Sequence, residues 1–355
     1  MDFIYQARPA RVVFGAGSLH HLEREVLALG AQRALVLSTP EQRPLAQRIA
    51  DRLGSRAAGL YDRATMHVPL DIARDAQAAA RACDADCAIA IGGGSTIGLG
   101  KAIALEGSLP IIAIPTTYAG SEMTPIYGVT DAGLKRTGTD ARVLPKTVIY
   151  DPELTVTLPV ELSVTSGINA IAHAAEGLYA NNANPVMSLI AEEGIRALAR
   201  GLPAVRRDGT ALAARGDALY GAWLCGMVLG NVGMALHHKL CHTLGGSFNL
   251  PHAPTHTVVL PHALAYNASY APEAMQRIAR AIGTQDAARG IYDLASENGA
   301  PVALKAIGMQ ETDLDRAADL AAANPYWNPR PIERDALRAL LQDAFDGNPP
   351  GSSIR

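Results

Sequence analysis

The chain has 355 residues, of which 48% are apolar and 18% are charged, and its formal net charge is −3 with histidine neutral. This balance is typical of a globular protein long enough for two domains, and it argues against disorder. The sequence has neither a basic stripe nor an excess of aromatic residues, so we expect no nucleic acid and no membrane surface as a partner.

The first 150 residues alternate apolar strands with helical patterns. Strands are predicted at 34–38, at 56–61, in CAIAIGGG and in PIIAIPTT, and helices at 43–53, in PLDIARDAQAAARA and in STIGLGKAIALEG. Continuous apolar strands separated by helices indicate parallel βαβ units, which are typical of nucleotide-binding domains.

The pattern changes after TVIYDPEL, where prolines 152 and 159 mark a boundary. Helices are predicted in SGINAIAHAAEGLYA, PVMSLIAEEGIRALARGL, ALAARGDALYGAWLCGMVLGN, APEAMQRIARAIG and ERDALRALLQDAF, and no strand is expected after residue 151. We therefore expect a dinucleotide-binding α/β domain over residues 1–155 and an all-helical catalytic domain over residues 156–355.

Two loops follow predicted strands of the first domain. The loop Gly92-Gly93-Gly94-Ser95 opens a predicted helix, where glycine permits a close approach of phosphate to helix N-terminal N–H groups. It matches neither GxGxxG nor the P-loop, so neither a standard Rossmann fingerprint nor an NTPase fits best. The loop PTTYAGSE, residues 115–122, lies where ligands of open α/β sheets bind. Structural βα turns without a ligand are the alternative for both loops.

Six of the ten histidines lie between His237 and His262. Imidazole is the commonest metal ligand and the side chain that titrates most easily near neutral pH. If the segment is helical, the i,i+4 spacing of His238 and His242 puts both rings on one face, and Asn169 and His173 repeat that spacing. This organisation favours a site over the alternative of scattered surface or core-edge histidines.

The four cysteines form no CxxC pair and are too few for a disulfide framework, which favours a reducing cytoplasm. The N-terminal stretch lacks the basic-then-apolar form of a signal peptide. Apolar runs are interrupted before they reach the length of a membrane helix, so none is expected.

Taken in order, several of these motifs resemble the iron-containing (group III) alcohol dehydrogenase family. The matching segments are FGAGSL, GGGSTIGLGK, PTTYAGSE, YDPEL, GINAIAHAAEG and HHKLCHTLGGSFNLPH, and the resemblance runs from about residue 8 to residue 345. It implies an α/β Rossmann-like N-terminal domain plus an all-α C-terminal domain, the dehydroquinate synthase-like architecture, with the active site in the cleft between them. It also implies an oligomer, for which we expect a homodimer.

The resemblance assigns a nicotinamide cofactor to the first domain. By position, Gly93, Gly94 and Ser95 inherit pyrophosphate binding, and nucleotide and nicotinamide contacts fall to Thr116, Thr117 and Ser121. Relatives specific for NAD carry an aspartate where this chain has Thr39, a neutral residue that does not repel a 2′-phosphate, and Arg43 is near in sequence. We therefore expect both NADH and NADPH to be accepted.

Metal-binding members of the family surround the ion with one aspartate and three histidines. The corresponding positions here are Asn169, His173, His238 and His252. A neutral amide oxygen is a poorer ligand for a divalent ion than a carboxylate, so no metal is expected, or at most a weaker site of the three histidines. His242 matches a further active-site histidine of the family.

Three segments, GGGSTIGLGK, SGINAIAH and PHAPTHTVVLPHALAYN, resemble the branch that reduces the conjugated C=C bond of maleylacetate to 3-oxoadipate in aromatic-compound degradation, generally without a metal. Hydride addition to an unsaturated ketone builds an enolate, which a hydrogen-bond donor can stabilise without a Lewis acid. We expect His242 or His238 to be that donor and acid, while His173 and His252 shape the pocket beside Asn169.

Two further residues are candidates for contacts with a dicarboxylate substrate. Lys239 is the cation nearest to His238 in sequence, although its i,i+1 relation points it off that face. Tyr118 either lines the nicotinamide pocket or packs in the core. The pair Tyr326-Trp327 is interpreted as helix-connection packing and is left out of the site.

Three other functions remain open at this point. The first is a metal-dependent alcohol or polyol dehydrogenase of the same family, which an ordered metal would favour. The second is a carbon–oxygen lyase resembling dehydroquinate synthase, which uses NAD and zinc and which Asn169 disfavours. The third is a dinucleotide-binding protein without catalysis.

Overall fold

The computed structural model describes residues 3, 5–6, 10–131 and 134–351. The chain divides into two compact units. The N-terminal unit is Ala7–Thr157, and the C-terminal unit is Leu158–Arg355 together with the described residues among Met1–Gln6.

The N-terminal unit is built on a six-stranded sheet. Its strands are β1 (Arg11–Phe14), β2 (Ala34–Leu37), β3 (Ala57–Tyr61), β4 (Cys87–Gly92), β5 (Ile111–Pro115), β6 (Ile126–Asp131), β7 (Leu134–Thr139) and β8 (Thr147–Tyr150). Its helices are α1 (Leu22–Ala28), α2 (Arg43–Leu53), α3 (Leu70–Ala82) and α4 (Gly94–Gly107). The sheet has the order β1-β8-β5-β4-β2-β3 with every pair parallel, and β6 and β7 form a separate antiparallel hairpin.

Both faces of this sheet are covered by helices. Val36 and Ile89 pack in one apolar layer with side chains of α1 and α2, and Leu37 and Ala90 pack in the opposite layer with α3 and α4. Burial on both faces explains why these strands are continuously apolar rather than alternating. The predicted α/β architecture is confirmed. The strands β1, β6, β7 and β8 were not predicted, because they are short or polar.

The order of the strands gives this sheet a topological switch point. From β2 the chain moves outward to β3, and then crosses back to β4 on the other side of β2. In open parallel sheets ligands bind at the carboxyl ends of the strands beside such a point. The loops that follow β2, β4 and β5 all lie at this edge.

The C-terminal unit is helical. Its helices are α5 (Val160–Leu178), α6 (Pro185–Arg207), α7 (Leu212–Asn231), α8 (Leu236–Phe248), α9 (His252–Asn267), α10 (Pro272–Ile282), α11 (Ala287–Glu297), α12 (Leu314–Ala323) and α13 (Arg334–Asp346). One apolar core joins α8 and α9 with α12 and α13. In the described part of the chain no strand follows β8, as predicted.

No single helix within the described ranges is long and apolar enough to cross a membrane. The helices α7 and α8 satisfy that criterion only as a pair, bent by 96° where they meet, and by length and composition alone.

Candidate active site

The glycine loop after β4 is built for a close approach to the start of α4. Gly92 has a φ of 149°, and a Cβ there would lie 2.5 Å from both the Gln42 Oε1 and the Thr96 Oγ1 atoms. Gly93 caps α4, and a Cβ on Gly94 would meet no atom within 4 Å. The first N–H groups of a helix lack partners inside it, so this open N-terminus suits a pyrophosphate.

The loop after β5 lies beside the glycine loop, and hydrogen bonds from Gln42 and Lys101 hold it in place. Gln42 donates from Nε2 to the Thr116 Oγ1 at 2.8 Å. The buried ammonium of Lys101 donates to the carbonyls of Ser121 and Ile126, each at 2.7 Å, and to the Thr124 Oγ1 at 3.0 Å. The Ser121 Oγ lies 3.3 Å away as a fourth and longer contact, so each N–H bond of the ammonium has an acceptor. The loop that carries the predicted cofactor contacts is therefore held rigidly.

The two residues from which we expect NADH and NADPH both to be accepted, Thr39 and Arg43, lie after β2. Thr39 is partly buried and caps a short 3-10 turn, and its hydroxyl hydrogen bonds to the Glu41 carboxylate and thereby lowers the pKa of that group. Arg43 forms an ion pair with Asp62. The cation expected to be available for a 2′-phosphate is thus already engaged by a carboxylate.

In the C-terminal unit six imidazole rings from α5, α8 and α9 come together. Ring centroids are separated by 5.1 Å between His173 and His238, by 5.0 Å between His238 and His256, and by 4.3 Å between His252 and His256. We call this group the imidazole cluster, and its members are His173, His237, His238, His242, His252 and His256.

The cluster is graded from buried to exposed. His173, His237, His238 and His256 are buried, whereas the side chains of His242 and His252 are exposed. Burial, followed by repulsion from neighbouring imidazoles, lowers the pKa values of His173, His237 and His256 well below the ordinary range. These three rings are therefore neutral near pH 7. His262, the remaining histidine of the segment, is buried outside the cluster.

Several buried polar atoms of the cluster and of Asn169 have no hydrogen-bond partner among the described residues. They are the Asn169 Oδ1, His173 Nδ1, His238 Nε2 and His256 Nε2 atoms. Asn169 lies one turn before His173 on α5 and is only 3% exposed. Unpaired buried polar atoms are costly, so a concentration of them indicates a place where a ligand or water binds.

A buried carboxylate, Glu176, connects the cluster to the start of α8. Its Oε2 accepts hydrogen bonds from the Ala235 N–H at 2.8 Å and from the His238 Nδ1 at 2.7 Å, and its Oε1 accepts from the His237 N–H at 2.7 Å. The positive end of the α8 dipole adds to these contacts. The charge of Glu176 is thus compensated without a metal.

The residues at the positions of the family's metal ligands do not fit a divalent ion well. The aspartate is replaced by the neutral Asn169, and the three histidines do not form a compact set of ligand atoms. Among the described residues, the group of histidine, cysteine or acidic side chains with ligand atoms within 4.8 Å of one another is His237, Cys241 and His256. In that group the His237 Nε2 and the His256 Nδ1 lie 2.9 Å apart, which a direct hydrogen bond explains.

Tyr326, which the sequence analysis left out of the site, contacts two predicted site residues. Its hydroxyl lies 3.0 Å from the His242 Nδ1, and the Lys239 Nζ lies 5.7 Å from the centre of its ring. These contacts join Tyr326 to the predicted site residues, which the sequence analysis did not anticipate. Lys239 and His242, three residues apart on α8, lie on the side that Tyr326 covers. Tyr118, by contrast, is completely buried in the N-terminal unit, which favours the packing alternative.

Sequence reasoning also missed Glu176, His237 and His256. The acidic residue in the apolar C-terminal half of helix α5 was a usable signal for Glu176, because an unpaired buried carboxylate is rarely tolerated. For His256, the i,i+4 spacing from His252 was a usable signal. Nothing in the local sequence marks Tyr326, because its contact with His242 joins residues 84 positions apart.

Comparison with known proteins places these features in a family. The profile of the iron-containing alcohol dehydrogenases matches residues 9–152, and that of the Fe-containing alcohol dehydrogenase family, C-terminal, matches residues 163–345. The maleylacetate reductase of Burkholderia cepacia is 65% identical over 98% of this chain and 99% of its own length.

Solved structures agree with this similarity. A putative alcohol dehydrogenase from Ralstonia eutropha JMP134 superimposes with a TM-score of 0.97 at 70% identity, and 99% of each chain is covered. The maleylacetate reductase of Agrobacterium tumefaciens gives a TM-score of 0.96 at 55% identity over 99% of this chain and 100% of its own.

Proposed function

Because this chain belongs to the iron-containing alcohol dehydrogenase family, we propose that it is an NAD(P)H-dependent reductase of maleylacetate that forms 3-oxoadipate in the degradation of aromatic compounds. The observation that carries the proposal is the 65% identity to the maleylacetate reductase of Burkholderia cepacia, which covers 98% of this chain. The neutral Asn169, one turn before His173 on α5, supports it chemically.

The N-terminal unit is the cofactor-binding domain in this proposal, and the C-terminal unit is the catalytic domain. Gly93, Gly94 and Ser95 bind the pyrophosphate at the start of α4. Thr116, Thr117 and Ser121 orient the nicotinamide half from the loop that Lys101 holds, and Thr39 faces the adenosine ribose. When bound, NADH or NADPH supplies the hydride.

The substrate is an unsaturated keto-dicarboxylate, and its reduction adds a hydride to the alkene carbon β to the ketone and a proton to the α carbon. Negative charge collects on the ketone oxygen in the enolate between these steps. A hydrogen-bond donor at that oxygen is worth about 3 kcal/mol of transition-state stabilisation. His242 is our candidate for donor and acid, since it is exposed and contacts Tyr326 through Nδ1. Lys239 provides a cation for one carboxylate.

The proposal includes catalysis without a bound metal. An enolate is a weaker base than the alkoxide of a simple alcohol dehydrogenase, so imidazole N–H groups are sufficient to stabilise it. The donor set supports this choice, because Asn169 offers no negative charge and His173, His238 and His252 do not form a set whose ligand atoms all lie within 4.8 Å of one another. A three-histidine site of low affinity is compatible with the same residues.

One assay tests the reaction and the metal requirement together. Purified protein is treated with a chelator and mixed with NADH and maleylacetate, and the loss of reduced-nicotinamide absorbance is followed while NMR identifies the product. We expect turnover in chelator with 3-oxoadipate as the product, and no turnover of simple alcohols. Activity that vanishes in chelator and returns with Fe²⁺ or Zn²⁺ would instead favour the metal-dependent alcohol dehydrogenase.

We also propose that the enzyme is a cytoplasmic homodimer. All four cysteines are free thiols, as a reducing compartment favours. Light scattering coupled to size-exclusion chromatography measures the mass in solution. A mass near twice 37.2 kDa is expected, and a monomer would contradict the proposal.

A further inference from the structure

Glu176 fixes which nitrogen of His238 carries a proton. An ionised carboxylate only accepts hydrogen bonds, so the 2.7 Å contact between the Glu176 Oε2 and the His238 Nδ1 requires a proton on Nδ1. In the neutral ring the Nε2 atom then carries the lone pair. That Nε2 atom is buried and has no partner among the described residues.

The same carboxylate also fixes where the ring stands. Glu176 has no solvent exposure, and its two oxygens accept the backbone N–H groups of Ala235 and His237 at the first turn of α8. The backbone contacts place the carboxylate, and the carboxylate in turn places the imidazole one residue further along α8. Groups that orient a functional imidazole in this way commonly alter its activity by about 10–100-fold when replaced.

We propose that Glu176 is a positioning residue of the active site: it holds His238 in the Nδ1–H form, so that the Nε2 atom alone exchanges hydrogen bonds or protons with the ligand. His238 then presents an acceptor to the ligand, and His242 is the candidate donor. This division of roles rests on the proposed function for its effect on turnover, whereas the tautomer itself does not.

The first test reads the tautomer directly. The protein is labelled with ¹⁵N-histidine, and the His238 signals are identified by their loss in His238→Asn. We expect a protonated Nδ1 and an unprotonated Nε2 in the wild type at neutral pH. In Glu176→Gln the charge is lost and one oxygen becomes an NH₂ group that faces a backbone N–H, so the Nε2–H tautomer should gain population. Glu161→Gln, an exposed position on the same helix α5, is the matched control.

The second test separates positioning from stability. After correction for the folded fraction, kcat of Glu176→Gln should fall about 10–100-fold, while the Kd for NADH is unchanged. His238→Asn keeps an N–H near the position of Nδ1 but has no atom at Nε2. If Glu176 acts through His238, adding Glu176→Gln to His238→Asn should cause no further loss of kcat.

Each result decides the question. Protonation of Nε2 in neutral wild-type His238 overturns the proposal without any variant. A lower melting temperature of Glu176→Gln with normal kcat overturns it as well, because that result reduces Glu176 to a helix cap. If the wild type does not reduce maleylacetate, the proposed function fails while the NMR result still decides the role of Glu176.

Discussion

Replacing Asn169 by aspartate restores the charge that metal-binding relatives carry at this position, and it tests why this chain lacks it. The side chain is 3% exposed, and its Oδ1 has no hydrogen-bond partner in the described part of the chain. A carboxylate in this place has neither solvent nor N–H donors. It must take up a proton, bind a cation or carry an uncompensated charge.

The cost of the first choice can be worked out. Protonating an aspartate of ordinary pKa near 3.9 at pH 7 costs about 4 kcal/mol, at about 1.4 kcal/mol per pH unit, and this limits the loss of stability. For a helical unit of this size, that loss lowers the melting temperature by about 10 °C. A divalent ion at about a thousand times its Kd returns about 4 kcal/mol.

The assay is thermal unfolding of Asn169→Asp in chelator and in a Zn²⁺ or Fe²⁺ titration, together with the metal content after dialysis. We expect the variant to be destabilised in chelator, to recover with metal and to retain more metal than the wild type. Asn181→Asp, at an exposed position, should do none of these. A wild type that retains metal as tightly as the variant would refute the reasoning, and so would a variant that is stable in chelator.

Three further predictions concern other parts of the molecule. Tyr326→Phe removes the hydroxyl 3.0 Å from the His242 Nδ1, and we expect kcat to fall about tenfold with little change in the melting temperature; an unchanged kcat would contradict the contact's role. Asp62→Asn releases Arg43 from its ion pair, so the guanidinium can attract the 2′-phosphate of NADPH. The ratio of the Kd for NADPH to the Kd for NADH, measured by nucleotide fluorescence, should therefore decrease. An unchanged ratio would exclude Arg43 from cofactor selection. Burial lowers the pKa of His262 to about 4, so the unfolded state binds a proton at this residue at a higher pH than the folded state does. The free energy of unfolding should therefore decrease as pH falls from about 6.5 to 4. His262→Gln should flatten that slope, and an equal slope in both proteins would show that His262 contributes nothing.

The local pattern of apolar residues was sufficient to predict the parallel α/β architecture of the N-terminal unit. The apolar runs of β2, β4 and β5 and the helical period of α2 and α3 predicted parallel βαβ units because burial on both faces leaves no other composition for these strands. The predicted cofactor residues follow these strands, and the parallel order brings them to one edge. The hairpin of β6 and β7 was missed because a glycine interrupts each strand and its other residues are largely polar, which weakens the strand signal.

The limits of sequence reasoning are clearest in the imidazole cluster. The spacing of His238 and His242 predicts a shared helix face, and both rings contact each other at 6.0 Å between centroids. Which nitrogen of each ring forms a hydrogen bond depends instead on partners that are far away in the chain. Tyr326 reaches His242 from a segment after α12, and Glu176 reaches His238 from α5. Tertiary contacts of this kind decide the chemistry of a histidine, and no local period encodes them.

The surroundings of Glu176 and of Asn169 differ in how well they can compensate a buried negative charge. A buried carboxylate is tolerated where fixed donors surround it, and Glu176 meets that condition with two backbone N–H groups and one imidazole. No such donor among the described residues reaches the Asn169 Oδ1, so a carboxylate there needs either a proton or a cation beside it. The amide of Asn169 and the proposed catalysis without a bound metal are therefore consistent with each other, and a reaction that passes through an enolate is one that such a site can perform.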